Sequence, residues 1–291
     1  LYCCRGLPVR DFLRECLSWS TLSGKIRQVK KNVTPQRVAF GEDSEQYFLY
    51  YEPKAAVSST VIVWVHGGGW NAGSPQYFDF VGQCIAGAGY RFVSIGYRLS
   101  PRNKYPCQIA DVCAGYNAAR AFLREKLTDS FRVIVSGSSA GAHLASILCC
   151  SRTVQEQYAV DVSDMTGFIG IGGPYHFFPG MSLTIRMLLS QLFSRGYDRA
   201  EGEPCALMTK HAVPVLLMQS RHDGVVDYVS AGAFREKALS LGNSCELYSV
   251  TGRKDSHSWY TAGMFLESRS ENPTLDKFFS WIEQQDGKSA G

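Results

Sequence analysis

The chain has 291 residues, 45% of them apolar, and a formal net charge of +4, enough to bury a large core in one α/β domain with insertions. The positive balance is spread out. Its one local cluster, Lys25, Arg27, Lys30 and Lys31, lacks the aromatic pattern of a nucleic-acid site and reads as a solvated helix or loop. No purely apolar stretch exceeds strand length, so no transmembrane segment is expected.

Residues 1–35 precede the first strand-like run and are expected to form a helical or cap extension. Eight strand-like runs follow, at 37–40, 46–51, 60–65, 90–95, 131–135, 168–171, 213–219 and 245–250. Helix-like segments lie between most of them, among them 108–127, 140–150, 228–241 and 273–285. After the first pair of strands the alternation is that of βαβ units, which demands a mostly parallel sheet covered by helices on both faces. Residues 36–287 therefore read as one α/β domain. Residues 174–212 separate the sixth and seventh strands by far more than a usual connection. Within them, 183–193 carry apolar residues at Leu183, Met187, Leu188 and Leu192, the spacing of an amphipathic helix. Such a helix is either a lid over the strand ends or a packing helix with no gating role.

Residues 137–141 read Gly-Ser-Ser-Ala-Gly, where the fifth strand-like run stops and a helix-like run begins. A serine at such a corner is pushed out of the backbone with its hydroxyl exposed, and the flanking glycines avoid a Cβ clash. Ser139 is thus the candidate nucleophile. The pattern alone is weak in a chain with 28 glycines, so context has to decide.

The context is specific. The third strand-like run leads directly into His66-Gly67-Gly68-Gly69-Trp70, and three successive glycines leave backbone N–H groups free to turn toward an oxyanion. Asp223 follows the seventh run, and His257 follows the eighth. In an open parallel sheet these strand ends lie side by side. The order Ser139, Asp223, His257 is that of the α/β-hydrolase arrangement. Asp227 and His222 are the rivals for acid and base. The position immediately after its strand favours Asp223, leaving Asp227 to cap the next helix, and the position after the last strand favours His257. His66 is expected to order the glycine loop, His143 to be a packed helix residue, and Arg98 and Asp111 to form a structural pair. His176 and His211 carry no signal.

Three segments together resemble the α/β-hydrolase esterases related to hormone-sensitive lipase. They are His66-Gly-Gly-Gly-Trp70; Tyr97-Arg98-Leu99-Ser100-Pro101 with Tyr105-Pro106 and Asp111; and Gly137-Ser-Ser-Ala-Gly-Ala-His143-Leu144-Ala145. The Gly-Ala-His-Leu-Ala ending is similar to a neighbouring branch: kynurenine formamidase, isoprenylcysteine methylesterase and bacterial feruloyl or acetyl esterases. The chain departs from the lipase-like pattern at Ser138, where an acidic residue is usual. The resemblance implies an eight-stranded α/β-hydrolase fold and an oxyanion hole formed by the N–H groups of Gly68, Gly69 and Ala140. It also implies a serine carboxylesterase acting on small acyl or aryl esters, with no cofactor and no metal. An arylformamidase-type amide hydrolase and a prenylcysteine methylesterase are alternatives, and a non-catalytic ligand receptor on the same fold is a third.

Trp70, Tyr175, Phe177 and Phe178 are candidates for lining an aromatic acyl or alcohol pocket, with core or lid packing as the alternative. The ten cysteines include no C-x-x-C pair, and the adjacent pairs Cys3-Cys4 and Cys149-Cys150 are awkward to bridge. That pattern points to a reduced, cytoplasmic protein. Since the chain begins at Leu1, a preceding signal or anchor is left open, as is the oligomeric state.

Overall fold

Strand β3 (Thr60–Val65) shows how the interior is organised: all six of its residues are buried, and its side chains divide between two cores. Val61, Val63 and Val65 face one apolar layer, and Ile62 and Trp64 face the other. A strand buried on both faces is the signature of a parallel sheet sandwiched by helices. The computed structural model describes residues 9–288. Cys3 and Cys4 lie outside the described residues.

The other strands are β1 (Gln36–Ala39), β2 (Tyr47–Tyr51), β4 (Arg91–Ile95), β5 (Arg132–Ser138), β6 (Met165–Ile171), β7 (Val215–Ser220) and β8 (Cys245–Val250). They form one sheet in the order β1-β2-β4-β3-β5-β6-β7-β8. The β1–β2 and β2–β4 pairings are antiparallel, and the pairings from β4 through β8 are parallel. The eight strands therefore follow the expected alternation. Strand β7 begins at Val215, two residues later than its apolar run. Pro214 has no N–H to give the ladder, and its carbonyl instead accepts from Phe168.

Ten α-helices connect or flank the strands among the described residues: α1 (Val9–Ile26), α2 (Asp79–Gly87), α3 (Cys107–Lys126), α4 (Ala140–Cys150), α5 (Arg152–Gln157), α6 (Leu183–Leu192), α7 (Pro204–Leu207), α8 (Tyr228–Ser240), α9 (His257–Thr261) and α10 (Pro273–Lys288). Helices α3, α4 and α8 cover the face of Val61 and Val63. Helices α2 and α10, with Leu22 of α1, cover the face of Trp64.

Helix α6 matches the expected helix in extent but presents a different face. Ile185, Leu189 and Leu192 are buried, whereas Leu183 and Met187 are exposed. Ser182 caps it by accepting from the Ile185 N–H at 3.2 Å.

Arg98 and Asp111 are paired as expected. Asp111 of α3 accepts from the Arg98 backbone N–H and guanidinium at 2.8–2.9 Å and from Gln46 at 2.8 Å, tying α3 to the connection after β4 and to the start of β2. All eight described cysteines are unpaired. No helix among the described residues is long and apolar enough to cross a membrane.

Candidate active site

The corner after β5 is shaped by close approach. A Cβ on Gly141 would sit 2.1 Å from the Val65 carbonyl oxygen, and one on Gly137 would sit 2.7 Å from Gly141 itself. Both glycines are therefore steric requirements of running α4 against β3 and β5. Between them Ser139 is held at φ 53°, ψ −122°, in a region that L-residues rarely occupy. Its N–H donates to the Ile171 carbonyl at 2.8 Å, fixing the strained residue to the neighbouring strand.

Asp223 lies in the loop after β7, and His257 opens α9 beyond β8. The three side chains meet. The Ser139 hydroxyl is 2.9 Å from His257 Nε2, and His257 Nδ1 is 2.7 Å from Asp223 Oδ2. Asp223 is fully buried, and its other oxygen accepts the Val225 and Val226 N–H groups at 2.8 Å each. Gln219 of β7 and the Tyr260 hydroxyl also donate to Oδ2. These donors satisfy a buried carboxylate without neutralising it. Burial alone would push His257 below the ordinary imidazole range. The charge of Asp223, its hydrogen bond and the charge of Glu15 hold it above that range instead. A hydroxyl in reach of an imidazole so held can pass its proton and attack a carbonyl.

The loop after β3 faces the same point. Gly68 adopts φ 115°, and a Cβ there would lie 2.1 Å from the Ala72 carbonyl oxygen, so only glycine fits. The Gly68 carbonyl accepts from Asn71 and Ala72, closing the turn, while the N–H groups of Gly68 and Gly69 carry no hydrogen bond among the described residues. Ala140 is the first residue of α4, where backbone N–H groups have no intrahelical acceptor. The positive end of that helix points to the same place.

The four expected pocket aromatics are placed elsewhere. Trp70 is buried, and its indole N–H donates to His143 Nδ1 at 3.3 Å. Tyr175 is buried against Phe234, Phe177 stacks on His143, and Phe178 stacks on His176. None of them lines the cavity of about 830 Å³ that opens over Ser139. Its walls come instead from Cys16 and Trp19 of α1, Tyr77 and Phe78 before α2, Leu188 of α6, and Val225. Leu188 packs directly over Gly69: a Cβ on that glycine would come within 2.9 Å of it.

Helix α1 does more than supply a wall, because it grips the segment that carries His257. Arg14 pairs with Asp255 at 2.7 Å and donates to the Arg253 carbonyl, while Ser18 accepts from Ser256 at 2.9 Å. Glu15 accepts from both the Ser258 N–H, at 2.7 Å, and the Ser258 hydroxyl. Sequence reasoning missed Glu15, Gln219 and Tyr260. Only Tyr260 left a signal, one helical turn after His257.

The other candidates fall outside this centre. His66 donates from Nδ1 to the Gly67 carbonyl at 2.8 Å and stacks between Tyr97 and Phe78. Burial lowers it to about 4, so it is neutral and orders the loop. His143 is likewise lowered to about 4 by burial and links Trp70 to the Gly202 carbonyl. His222 is exposed. Asp227 stands at the N-cap position of α8, yet its carboxylate does not cap that helix. It accepts the Ser182 N–H at 3.0 Å, anchoring the start of α6. His176, Glu203 and Cys205 bring three donor atoms within 4.8 Å of one another away from the cavity.

Similar proteins match over much of the chain. The sequence model of the BD-FAE family matches residues 48–238. Esterase LipC of Mycobacterium tuberculosis is 26% identical over 238 residues, covering 76% of this chain and 59% of LipC. Carboxylesterase NlhH of the same organism is 34% identical over 101 residues, covering 34% of this chain and 32% of NlhH. The match thus spans less than two thirds of either relative's length. Among solved structures, Francisella virulence factor BioJ superimposes with a TM-score of 0.73 at 17% identity, covering 93% of this chain and 91% of BioJ. Esterase B of Lactobacillus rhamnosis gives 0.69 at 19% identity, covering 97% and 98%. At such identities the two structures establish a shared fold. With the family match running from β2 into α8, the chain belongs to the BD-FAE family and carries the α/β-hydrolase fold.

Proposed function

We propose that this protein is a serine carboxylesterase that cleaves esters through an acyl-enzyme. The observation that carries the reading is the hydrogen-bonded line from Ser139 through His257 to Asp223 at the floor of a largely apolar cavity. In the first half-reaction His257 Nε2 takes the Ser139 proton as Oγ bonds to the ester carbonyl carbon. The carbonyl oxygen becomes an oxyanion facing the Gly68, Gly69 and Ala140 N–H groups, and Asp223 stabilises the imidazolium. The C–O bond to the alcohol then breaks, and His257 returns the proton to the departing alkoxide. Water repeats the sequence on the acyl-enzyme, with His257 as base, and the carboxylic acid leaves.

The esterase names of LipC and NlhH support this reading, as does an ester-sized cavity with apolar walls. Hydrolysis of p-nitrophenyl esters of graded acyl length by the parent and by Ser139→Ala tests it. Loss of at least ~10⁴-fold in kcat is expected for the variant. Equal rates, or failure of a fluorophosphonate to label the Ser139 peptide in folded protein, would remove the proposal.

A further inference from the structure

The cavity over Ser139 is lined by one acid that takes no part in the covalent steps. Glu15 lines the cavity from α1, and its residue is 9% exposed. One carboxylate oxygen, Oε1, accepts both donors of Ser258. The other, Oε2, is buried and has no hydrogen-bond partner among the described residues. Arg14, next to it in the chain, is committed to Asp255, and the positive charge that acts on Glu15 is that of His257. A buried carboxylate oxygen without a donor is costly, and the cost is relieved by whatever brings a donor or a positive charge to it. Burial pushes the Glu15 carboxyl upward, against the pull of His257 and the Ser258 N–H, so the protein alone leaves the charged form under-stabilised.

The rest of the wall gives the other half of the recognition pattern. Trp19, Tyr77, Phe78, Leu188 and Val225 present an apolar surface, with a single acid set beside the residue that follows His257. Such a cavity suits a molecule with a sizeable apolar part and one cationic centre near its ester group.

We infer that Glu15 is a substrate-binding residue and that the preferred substrates are apolar esters bearing a positively charged amine. This rests on the esterase reading above and narrows its substrate class. A cation entering the cavity would be drawn to the Glu15 charge, while Oε1 keeps its hold on Ser258 and hence on the His257 segment.

The test uses charged and uncharged esters of matched shape. Phenylalanine methyl ester against methyl 3-phenylpropanoate places the charge on the acyl side. Butyrylcholine against 3,3-dimethylbutyl butanoate places a permanent charge on the alcohol side, free of any titration of the amine. At least one charged member is expected to exceed its neutral partner in kcat/KM by on the order of tenfold or more, chiefly through KM. Glu15→Gln keeps an acceptor for Ser258 and removes the charge, so the preference should collapse toward one. Taking the ratio within each protein cancels any change in how well His257 is placed, and Glu15→Asp, which restores the charge, should recover part of it. Equal rates within both pairs, or a preference that survives Glu15→Gln, would overturn the inference while the neutral esters are still turned over. If none of the four esters is cleaved and Ser139 resists phosphonate labelling, the esterase reading fails, and this inference fails with it.

Discussion

The floor and the walls of the cavity are built by different means. The floor is made where β3, β5, β7 and β8 end, and most of its groups are set by backbone. Ser139 is pinned by its N–H to β6, Asp223 by two N–H groups of its own loop, and Gly68 by a turn that admits no side chain. The walls are made by α1, α6 and the segment before α2, held by apolar packing and a few side-chain links. The contrast teaches that reaction type and substrate choice reside in separable parts of the molecule. Geometry needed to a fraction of an ångström sits mainly at the strand ends, whereas shape selection sits on helices, of which α1 also braces the His257 segment.

That separation can be broken most sharply at the floor. Asp223→Asn should lower kcat by about 10⁴-fold, because the amide cannot hold the imidazole in the productive tautomer. It should also move the acid limb of kcat/KM to lower pH. The Asp223 charge is what raises His257 against burial, so removing it lets the imidazole titrate lower. A pH–rate profile of the residual activity reads both effects, and an unshifted limb would assign the titration to another group. Gly68→Ala is the next largest. Its Cβ meets the Ala72 carbonyl and its φ is unfavourable, so the loop must move and its N–H donors with it. A loss on the order of 10²- to 10³-fold in kcat with little change in KM is expected, and a KM effect alone would mean that the loop only binds.

The smallest effect should come from the wall. Leu188→Ala enlarges the cavity above Gly69 and should change the relative kcat/KM of short and long acyl esters by up to about tenfold, leaving the fastest substrate's kcat within a few-fold. If Leu188→Ala instead lowers kcat for every ester alike, floor and wall are coupled and the comparison fails.

The same division explains what could be read in advance. Strand ends, the Ser139 corner and the glycine triplet were legible because their rules are local: a buried apolar run, a turn that rejects a Cβ, and a parallel sheet that lines up its carboxyl ends. The eight strands differ from the expected runs mainly at their ends. The walls were not legible, because nothing local tells where a helix will dock. Trp70 beside the glycine loop and the aromatics after β6 were expected at the cavity from their nearness to strand ends, but Trp70, Tyr175 and Phe177 turn into the layer shared with His143 and Phe234. Glu15 lies 243 residues from the Ser258 it grips, a separation that no motif or period encodes. Tyr260 and Gln219 are visible as side chains of their elements, but their aim at Asp223 follows only from the packed loop.

The link between α1 and the segment at 253–258 joins stretches that lie 243 residues apart at Glu15 and Ser258, so one is synthesised well after the other. Until that late segment emerges, Arg14, Glu15 and Ser18 lack the partners they clasp in the finished molecule, and the imidazole itself has not been made. Serine, carboxylate and imidazole therefore come together only once that segment has been made, and α1 must find it late in synthesis.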